Sequence, residues 1–215
     1  ITVFEALPEI GGMLRVGIPR YRLPRKILDK EIADIKALGV SFKTDTRIKD
    51  VKDLKDYDAI FVATGAHNSR RLDVPGENIP GVISGTEFLR HLNLDGESKI
   101  GKNVLVIGGG NTAIDAARSA IRLGAKAKIV YRRTREEMPA VEEEIEAAAK
   151  EGIEIVYLAA PTKIVTQNSR VKEVEFVRMK LGALDASGRK RPIPIEGSNF
   201  KMKADTVITA IGESS

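Results

Sequence analysis

The sequence predicts an α/β fold made of two dinucleotide-binding domains with parallel, Rossmann-like sheets, the first of them truncated. Three observations lead to this prediction. Short apolar strands alternate with segments of helical period, as in parallel βαβ units. The chain also contains two diverged copies of one pattern, and a glycine-rich turn joins a strand to a helix in the second copy.

The duplication consists of three pairs of segments that occur in the same order in both halves. Each pair shares either an apolar strand end, a helix that leads through glycine into a strand, or an aspartate followed by an apolar strand and glycine. The pairs are VFEA (3–6) with VYRR (130–133), EIADIKALGV (31–40) with EIEAAAKEGI (144–153), and DAIFVATG (58–65) with DTVITAIG (205–212). Three pairs in order indicate a repeat of one supersecondary unit.

Composition narrows the function classes. The 215 residues include no cysteine, so this chain cannot supply disulfides or cysteine ligands to zinc or iron–sulfur clusters. The net charge is +5, the basic and acidic residues are interspersed along the chain, and aromatic residues make up only 5%. This composition argues against a nucleic-acid interface. No apolar run approaches the roughly 18 residues of a membrane span, and we expect a cytoplasmic location. His67 and His91 are the only histidines, and we expect neither a catalytic side chain nor a metal site.

The glycine turn follows the apolar strand VLVI and reads Gly108-x-Gly110-x-x-Ala113. In this motif the first glycine permits a tight turn, the second lets the backbone approach a pyrophosphate, and the small third residue allows close packing of helix on strand. Asn111 or Thr112 is expected to begin the helix. The helix N-terminus then offers free N–H groups to phosphate. The sequence therefore predicts a dinucleotide site here, although a tight turn without a ligand is an alternative.

Arginines occupy the end of the next strand, where an NAD site carries an acidic residue about 20 residues past the glycines. Arg132 and Arg133 stand at that position, with Arg135 as a third candidate. Guanidinium groups can bind the 2′-phosphate of NADP through charge-assisted, bidentate contacts. The alternative is a solvated cluster in which the arginines pair with Glu136 and Glu137. We predict an NADP(H) site.

The first copy provides a comparison for these arginines. Glu5 is equivalent to Arg132, and a carboxylate suits a dinucleotide whose ribose 2′-hydroxyl is free. FAD is the natural candidate. The first copy also contains a loop with Gly11 and Gly12 that precedes a helix predicted from about Arg25 to Leu38, but its ligand does not follow from the residues themselves.

Four segments resemble the small, flavin-containing subunit of NADPH-dependent glutamate synthase. They are similar also to the matching module of dihydropyrimidine dehydrogenase and to related ferredoxin:NADP oxidoreductase subunits, so the resemblance points to a superfamily and to no single member. The resemblance covers essentially the whole chain, and the segments occur in the same order. The segments are GGMLRVGIPRYRLP (11–24), VIGGGNTAIDAARSAIRLGA (106–125), VYRRTREEMPA (130–140) and LGALDASGRKRPIPIEGSNF (181–200).

The resemblance implies a reductase that passes hydride from NADPH to FAD, and electrons onward through iron–sulfur clusters outside this chain. The implied acceptor is a partner subunit or domain such as a glutamate synthase large subunit or ferredoxin. The implied NADPH residues are Gly108, Gly109, Gly110, Asn111, Thr112, Ala113, Arg132, Arg133, Arg135, Ala210, Ile211 and Gly212. The implied FAD residues are Glu5, Gly11, Gly12, Met13, Arg22, Ile48, Thr64 and Gly65.

The same resemblance predicts the domain organisation. Residues 1–97 would form part of an FAD-binding domain, and residues 98–212 an inserted NADP(H)-binding domain. The family's cysteine-rich cluster domain, first glycine motif and closing segment do not occur in the sequence, so we expect an excerpt that is inactive by itself and binds FAD weakly. The alternatives are an electron-input module of the ferredoxin:NADP oxidoreductase or dihydropyrimidine dehydrogenase type, and a non-catalytic nucleotide-binding interaction module.

Overall fold

The computed structural model describes residues 1–214 and shows the predicted α/β architecture. Over these residues the α-helices are α1 (Gly12–Val16), α2 (Arg25–Ala37), α3 (Gly85–Asp95), α4 (Asn111–Arg122) and α5 (Glu142–Lys150). The strands are β1 (Thr2–Phe4), β2 (Ser41–Lys43), β3 (Asn68–Ser69), β4 (Val82–Ser84), β5 (Asn103–Gly108), β6 (Lys126–Tyr131), β7 (Glu154–Tyr157), β8 (Ala159–Gln167), β9 (Arg170–Leu184), β10 (Lys190–Pro194), β11 (Phe200–Lys203), β12 (Thr206–Ala210) and β13 (Glu213–Ser214).

The centre of the molecule is a parallel sheet with strand order β4-β12-β5-β6-β7. Its middle strand, β5, is buried on both faces, which explains the unbroken apolar run VLVI. Val104 and Val106 point into a core shared with the helices. Leu105 and Ile107 point into a second core on the opposite face. The sheet is therefore the middle layer of three.

Helices α3, α4 and α5 cover one face of this sheet. Helix α4 presents the predicted small-residue stripe, in which Ala113, Ile114 and Ala117 are fully buried. Small side chains let the helix approach the strands closely, while Phe88 of α3 and Ile145 of α5 fill the remaining space. The glycine turn is thus held against the sheet by the helix that follows it.

An antiparallel sheet covers the other face, with β8, β10 and β11 all pairing with β9. Phe176 of β9 is fully buried and stacks on Phe200 of β11, with ring centroids 5.6 Å apart. Residues 185–189 form the tip of the β9–β10 hairpin. The Ser-Gly dipeptide at 187–188 lies in this turn, as such punctuation favours, whereas residues 190–194 belong to β10.

The duplication is visible in the structure for the first two pairs of segments. In the first copy β1 pairs in parallel with β2, and α2 lies between them in the chain. In the second copy β6 pairs in parallel with β7 across α5. Each of these helices is followed by a glycine of positive φ, Gly39 at 86° and Gly152 at 83°, which is the conformation that commonly ends a helix.

The third pair differs between the copies, which corrects the expectation of a strand at 58–65. Residues 205–212 contain β12, a central strand of the parallel sheet, whereas DAIFVATG (58–65) forms no regular structure and is exposed. Phe61 is 92% exposed. A strand needs a hydrogen-bonded neighbour, and within residues 1–214 no strand pairs with this segment. Local sequence preference alone does not make it a strand.

Strand β4 and helix α3 pack with the second half of the chain, although the sequence-based division placed residues 1–97 together. Strand β4 pairs in parallel with β12, and α3 contacts α4. The side chain of Ser84 caps α3 by accepting a hydrogen bond from Glu87 N at 3.2 Å.

Candidate nucleotide-binding site

The glycines of the turn after β5 have different structural roles. A Cβ on Gly108, where φ is 151°, would lie 2.1 Å from the carbonyl oxygen of Ala210. A Cβ on Gly109 would lie 2.5 Å from the ring of Tyr131. At Gly110 the nearest atom would be Cγ of Pro139, at 3.9 Å. The first two glycines are needed for packing, whereas Gly110 faces open space.

The start of α4 borders the same open space. Helix α4 begins at Asn111, as expected, and its N-cap is Gly110, which has no side chain to cap the helix. Among the described residues no acceptor contacts the backbone N–H of Asn111 or of Thr112. The side chain of Asn111 accepts a hydrogen bond from Val141 N at 2.9 Å. Free N–H groups and the positive end of the helix dipole suit an anion.

The segment after β6 folds back over the glycine turn. Ala140 N donates to the carbonyl of Gly109 at 3.2 Å, and the Tyr131 hydroxyl donates to the carbonyl of Glu137 at 2.6 Å. A short 3₁₀ turn, Arg135–Glu137, is fixed by a capping box between Thr134 and Glu137. These bonds hold the arginine-bearing segment beside the N-terminus of α4.

The three arginines of this segment have different environments. Arg132 is exposed and makes no ion pair within residues 1–214. Arg133 is only 3% exposed, and its Nη2 donates to Asp185 at 2.5 Å. Arg135 forms an ion pair with Glu142. Of the three, Arg132 has the guanidinium that is free to meet a ligand.

The placement of Arg133 does not support its predicted contact with phosphate, because burial and Asp185 already occupy its guanidinium. The alternative of pairing with Glu136 and Glu137 does not describe the structure either. Glu137 accepts hydrogen bonds from the backbone and hydroxyl of Thr134. Glu136 accepts one from the same hydroxyl, at 2.6 Å.

The end of β12, which leads through Ala210 into Ile211 and Gly212, lies beside the glycine turn. Ala210 is buried against Gly108, so its side chain packs the turn. Ile211 is 40% exposed. Gly212 has φ of 119°, and its carbonyl accepts a hydrogen bond from Arg70 N at 2.9 Å. Ile211 is the residue of the three whose side chain is open to solvent.

The predicted flavin residues are spread over the first half. Glu5 accepts a hydrogen bond from Leu7 N at 2.8 Å, which fixes the turn after β1. Gly11 and Gly12 have positive φ, at 124° and 51°, and the carbonyl of Met13 accepts hydrogen bonds that close α1.

The other three predicted flavin residues lie in or near segments without regular structure. Ile48 is half-buried in the segment after β2. Thr64 and Gly65 are exposed in the segment that forms no strand. The described residues therefore present part of a flavin site.

Arg22, also predicted to line the flavin site, joins the two halves of the chain. Its Nη1 donates to Asp115 Oδ2 at 2.7 Å, and its Nε lies 3.0 Å from Glu144 Oε1. Arg118 pairs with Glu144 and also with Glu151, the latter at 2.7 Å. This ion-pair network connects the loop before α2 to helices α4 and α5.

Asp115 is a structural residue that was not predicted from sequence, although one signal was present. It is the single acidic residue among the alanines and isoleucines of α4, and it is 4% exposed. Its Oδ1 has no hydrogen-bond partner. Burial raises the pKa of Asp115 to about 6, and Arg22 opposes this increase.

The raised pKa predicts how Asp115 affects stability at different pH values. The folded protein binds a proton at Asp115 at a higher pH than the unfolded chain, so this group favours folding increasingly as pH falls from 7.5 to 4.5. Asp115→Asn removes the titration. We expect the free energy of unfolding of the wild type, relative to the variant, to rise by about 2 kcal/mol over this range. Urea denaturation at both pH values measures it, and a difference that does not change with pH would contradict the prediction.

Metal-binding and membrane-spanning features are absent from the part of the chain that the structure describes. Residues 1–214 contain no cluster of three potential metal ligands among histidine, cysteine, aspartate and glutamate. The helices of this range are too short or too polar to cross a bilayer.

A protein-family model described as pyridine nucleotide-disulphide oxidoreductase matches residues 25–215. The matched range includes the glycine turn, the arginine segment and the antiparallel layer. The chain belongs to this family. Its membership confirms the predicted dinucleotide-binding fold.

Curated relatives confirm the predicted resemblance. The beta subunit of NADP(+)-dependent formate dehydrogenase from Moorella thermoacetica is 50% identical over 100% of this chain and 31% of its own length. The NADPH-Fe(3+) oxidoreductase beta subunit from Geobacter sulfurreducens is 47% identical, over 99% of this chain and 33% of its own length. The glutamate synthase [NADPH] small chain from Escherichia coli is 37% identical, over 98% and 48%. The chain spans between about a third and a half of the length of these relatives.

Solved structures of the same fold extend beyond this chain as well. FprA from Mycobacterium tuberculosis, in complex with NADPH, matches 99% of this chain and 63% of its own with a TM-score of 0.84 at 20% identity. Thioredoxin reductase from Lactococcus lactis matches 99% and 69% with a TM-score of 0.64 at 20% identity. At these identities the similarity concerns the fold.

Proposed function

We propose that this chain is the NADP(H)-binding part of a flavin-dependent oxidoreductase. The observation that carries the proposal is the room at Gly110 beside the free N–H groups of α4, together with the unpaired, exposed guanidinium of Arg132 on the segment that folds back over the glycine turn. These groups suit a pyrophosphate and a 2′-phosphate, so the residues fit NADP(H). In this proposal residues up to about 80 belong with the flavin half, and β4 begins the NADP(H)-binding half.

The residues of this chain would act by binding and orientation. Bound NADPH would supply a hydride and a flavin would accept it, so the protein needs no acid, base or nucleophile of its own for that transfer. Asn111 and Thr112 would hold the pyrophosphate through their backbone N–H groups, and Arg132 would hold the 2′-phosphate. Ile211 offers an exposed apolar side chain beside the glycine turn.

Some of the residues predicted to bind FAD are placed as an FAD site requires, and others are not. Glu5 stands at the end of β1, where a carboxylate suits a free ribose hydroxyl. Segment 58–65 pairs with no strand in the described residues, so this part of a flavin-binding fold is incomplete there. We propose that FAD is bound by the protein at its natural length, and that any iron–sulfur clusters lie outside the residues of this chain.

The proposed partner is an electron-accepting subunit or domain. Two relatives are named beta subunits and one a small chain, which supports a role in a multi-subunit enzyme. Their names give formate oxidation, Fe(3+) reduction and glutamate synthesis as different reactions, so the shared element is NADP(H) and the other redox partner differs. The relatives with the higher identities favour an NADP(H)-exchanging subunit of another oxidoreductase over glutamate synthesis itself.

Titration with NADPH and NADH tests the proposal. Isothermal calorimetry on the protein at its natural length should give at least about tenfold tighter binding of NADPH, since one charge-assisted contact contributes about 1.5–3 kcal/mol. Equal affinities for the two cofactors would contradict an NADP(H) site. Failure of both to bind a folded sample would favour the non-catalytic interaction module.

A further inference from the structure

The tip of the β9–β10 hairpin lies next to the arginine segment, and Arg133 makes the connection. Its Nη2 donates to Asp185 at 2.5 Å, and its Nε donates to the carbonyl of Lys190 at 2.7 Å. Arg133 follows β6 directly, whereas Asp185 and Lys190 flank the hairpin turn. A buried arginine with two such partners fixes the position of the hairpin relative to the end of the parallel strand.

The turn itself is held in one conformation by Asp185. Its Oδ1 accepts hydrogen bonds from Ser187 N at 2.9 Å, from Ser187 Oγ at 2.5 Å and from Arg189 N at 3.3 Å. The backbone N–H of Gly188, where φ is 77°, donates to the carbonyl of Asp185 at 2.9 Å. Hydrogen bonds from Ser187 hold the pKa of Asp185 at about 2, so this carboxylate stays ionised.

Within residues 1–214, Arg132 and Arg189 are both without a counterion, unlike Arg133 and Arg135. Arg133 is neutralised by Asp185, and Arg135 by Glu142. Among the described residues neither Arg132 nor Arg189 has a carboxylate within ion-pair distance. Arg189 Nε donates to Ser187 Oγ at 3.0 Å, and its terminal nitrogens contact no acceptor in the described range.

Arg132 and Arg189 flank the bonds that Arg133 makes, because Arg132 precedes Arg133 in the chain and Arg189 lies between Asp185 and Lys190, the two residues that Arg133 holds. Desolvation lowers the pKa of Arg132, which still has an exposed side chain, and the like charges of Arg133 and then Arg189 add to this effect while Asp185 opposes it. Two unpaired guanidinium groups held near each other repel, and an anion with two negative charges relieves that repulsion. A phosphate monoester beside the glycine turn has this character.

We propose that Arg189 is a second cation for the 2′-phosphate of NADPH, acting with Arg132, and that Arg133 and Asp185 are the positioning residues that hold it there. This inference rests on the proposed NADP(H) site. It gives Arg133 a role different from the direct contact expected from sequence. It also makes the antiparallel layer part of the cofactor site.

The test measures binding of a 2′-phosphate by itself. Affinities of the protein at its natural length for 2′,5′-ADP and 5′-AMP, and for NADPH and NADH, are compared by calorimetry. Arg189→Gln should lower the affinity for 2′,5′-ADP and for NADPH by about tenfold. The affinities for 5′-AMP and NADH should stay unchanged. Arg170→Gln is the matched control, because it removes the same charge from the opposite end of β9.

A double-variant cycle distinguishes a positioning role from a general loss of stability. If Asp185 acts through Arg189, Asp185→Asn should lower the affinity of the otherwise wild-type protein for 2′,5′-ADP. The same substitution should have little further effect on that affinity in the Arg189→Gln variant. Full additivity would overturn the positioning role. An unchanged preference in Arg189→Gln would overturn the inference while leaving the proposed function intact, and a wild type without 2′-phosphate preference would overturn both.

Discussion

Gly110→Ala is expected to lower the affinity for both NADPH and NADH by at least about tenfold, while the protein folds normally. At this residue φ is −92° and ψ is 179°, a conformation open to any amino acid. The added Cβ would have no atom closer than 3.9 Å. It would therefore not disturb packing, and it would occupy the space through which the backbone can approach a pyrophosphate.

Gly108→Ala is the matched control for this variant, because the chemical change is the same and the surroundings are opposite. Its Cβ would lie 2.1 Å from the carbonyl oxygen of Ala210, at a φ of 151°. We expect Gly108→Ala to lower the stability of the fold and Gly110→Ala to lower the affinity for the cofactors. Thermal unfolding followed by circular dichroism, together with calorimetric titration, separates the two effects. Wild-type affinity for both cofactors in Gly110→Ala would show that this space is not the pyrophosphate site.

Arg132→Gln is expected to remove most of the preference for NADPH. Loss of a charge-assisted contact of about 1.5–3 kcal/mol corresponds to a roughly 10- to 100-fold weaker affinity. NADH has no 2′-phosphate, so its affinity should remain within about twofold. The ratio of the two dissociation constants, measured by titration on the same sample, reports the effect independently of protein stability.

Arg135→Gln provides the comparison for Arg132. Both residues lie in the same segment, but the Arg135 guanidinium already pairs with Glu142. We expect the substitution at Arg135 to have the smaller effect on NADPH. The opposite order would mean that Glu142 releases Arg135 when the cofactor binds, and that the phosphate lies nearer α5 than we propose.

The local motifs were predictable from sequence because each depends on neighbouring residues. The strand VLVI, the glycine turn and the small residues of α4 form one continuous segment, and backbone sterics restrict what such a segment can do. The β9–β10 hairpin tip was predictable for the same reason. The internal duplication made a larger unit predictable as well, because β1–α2–β2 and β6–α5–β7 repeat one strand–helix–strand arrangement.

Roles that depend on distant partners were not predictable in this way. Arg132 and Arg133 are adjacent and chemically identical, yet one is exposed and the other is 3% exposed. The difference comes from Asp185, which lies 52 residues from Arg133 in the chain. Arg22 likewise pairs with Asp115, 93 residues away. A strand such as DAIFVATG also depends on a neighbour, and without one it remains exposed.

The sequence by itself determined the kind of site: a glycine turn before a helix for pyrophosphate, with arginines where a carboxylate would exclude a 2′-phosphate. These properties belong to residue types and short spacings. The tertiary structure decided which atoms are available, because burial and ion pairing depend on residues brought together by folding. It left room for a side-chain atom at Gly110, occupied the guanidinium of Arg133, and fixed the hairpin that carries Arg189 against the arginine segment.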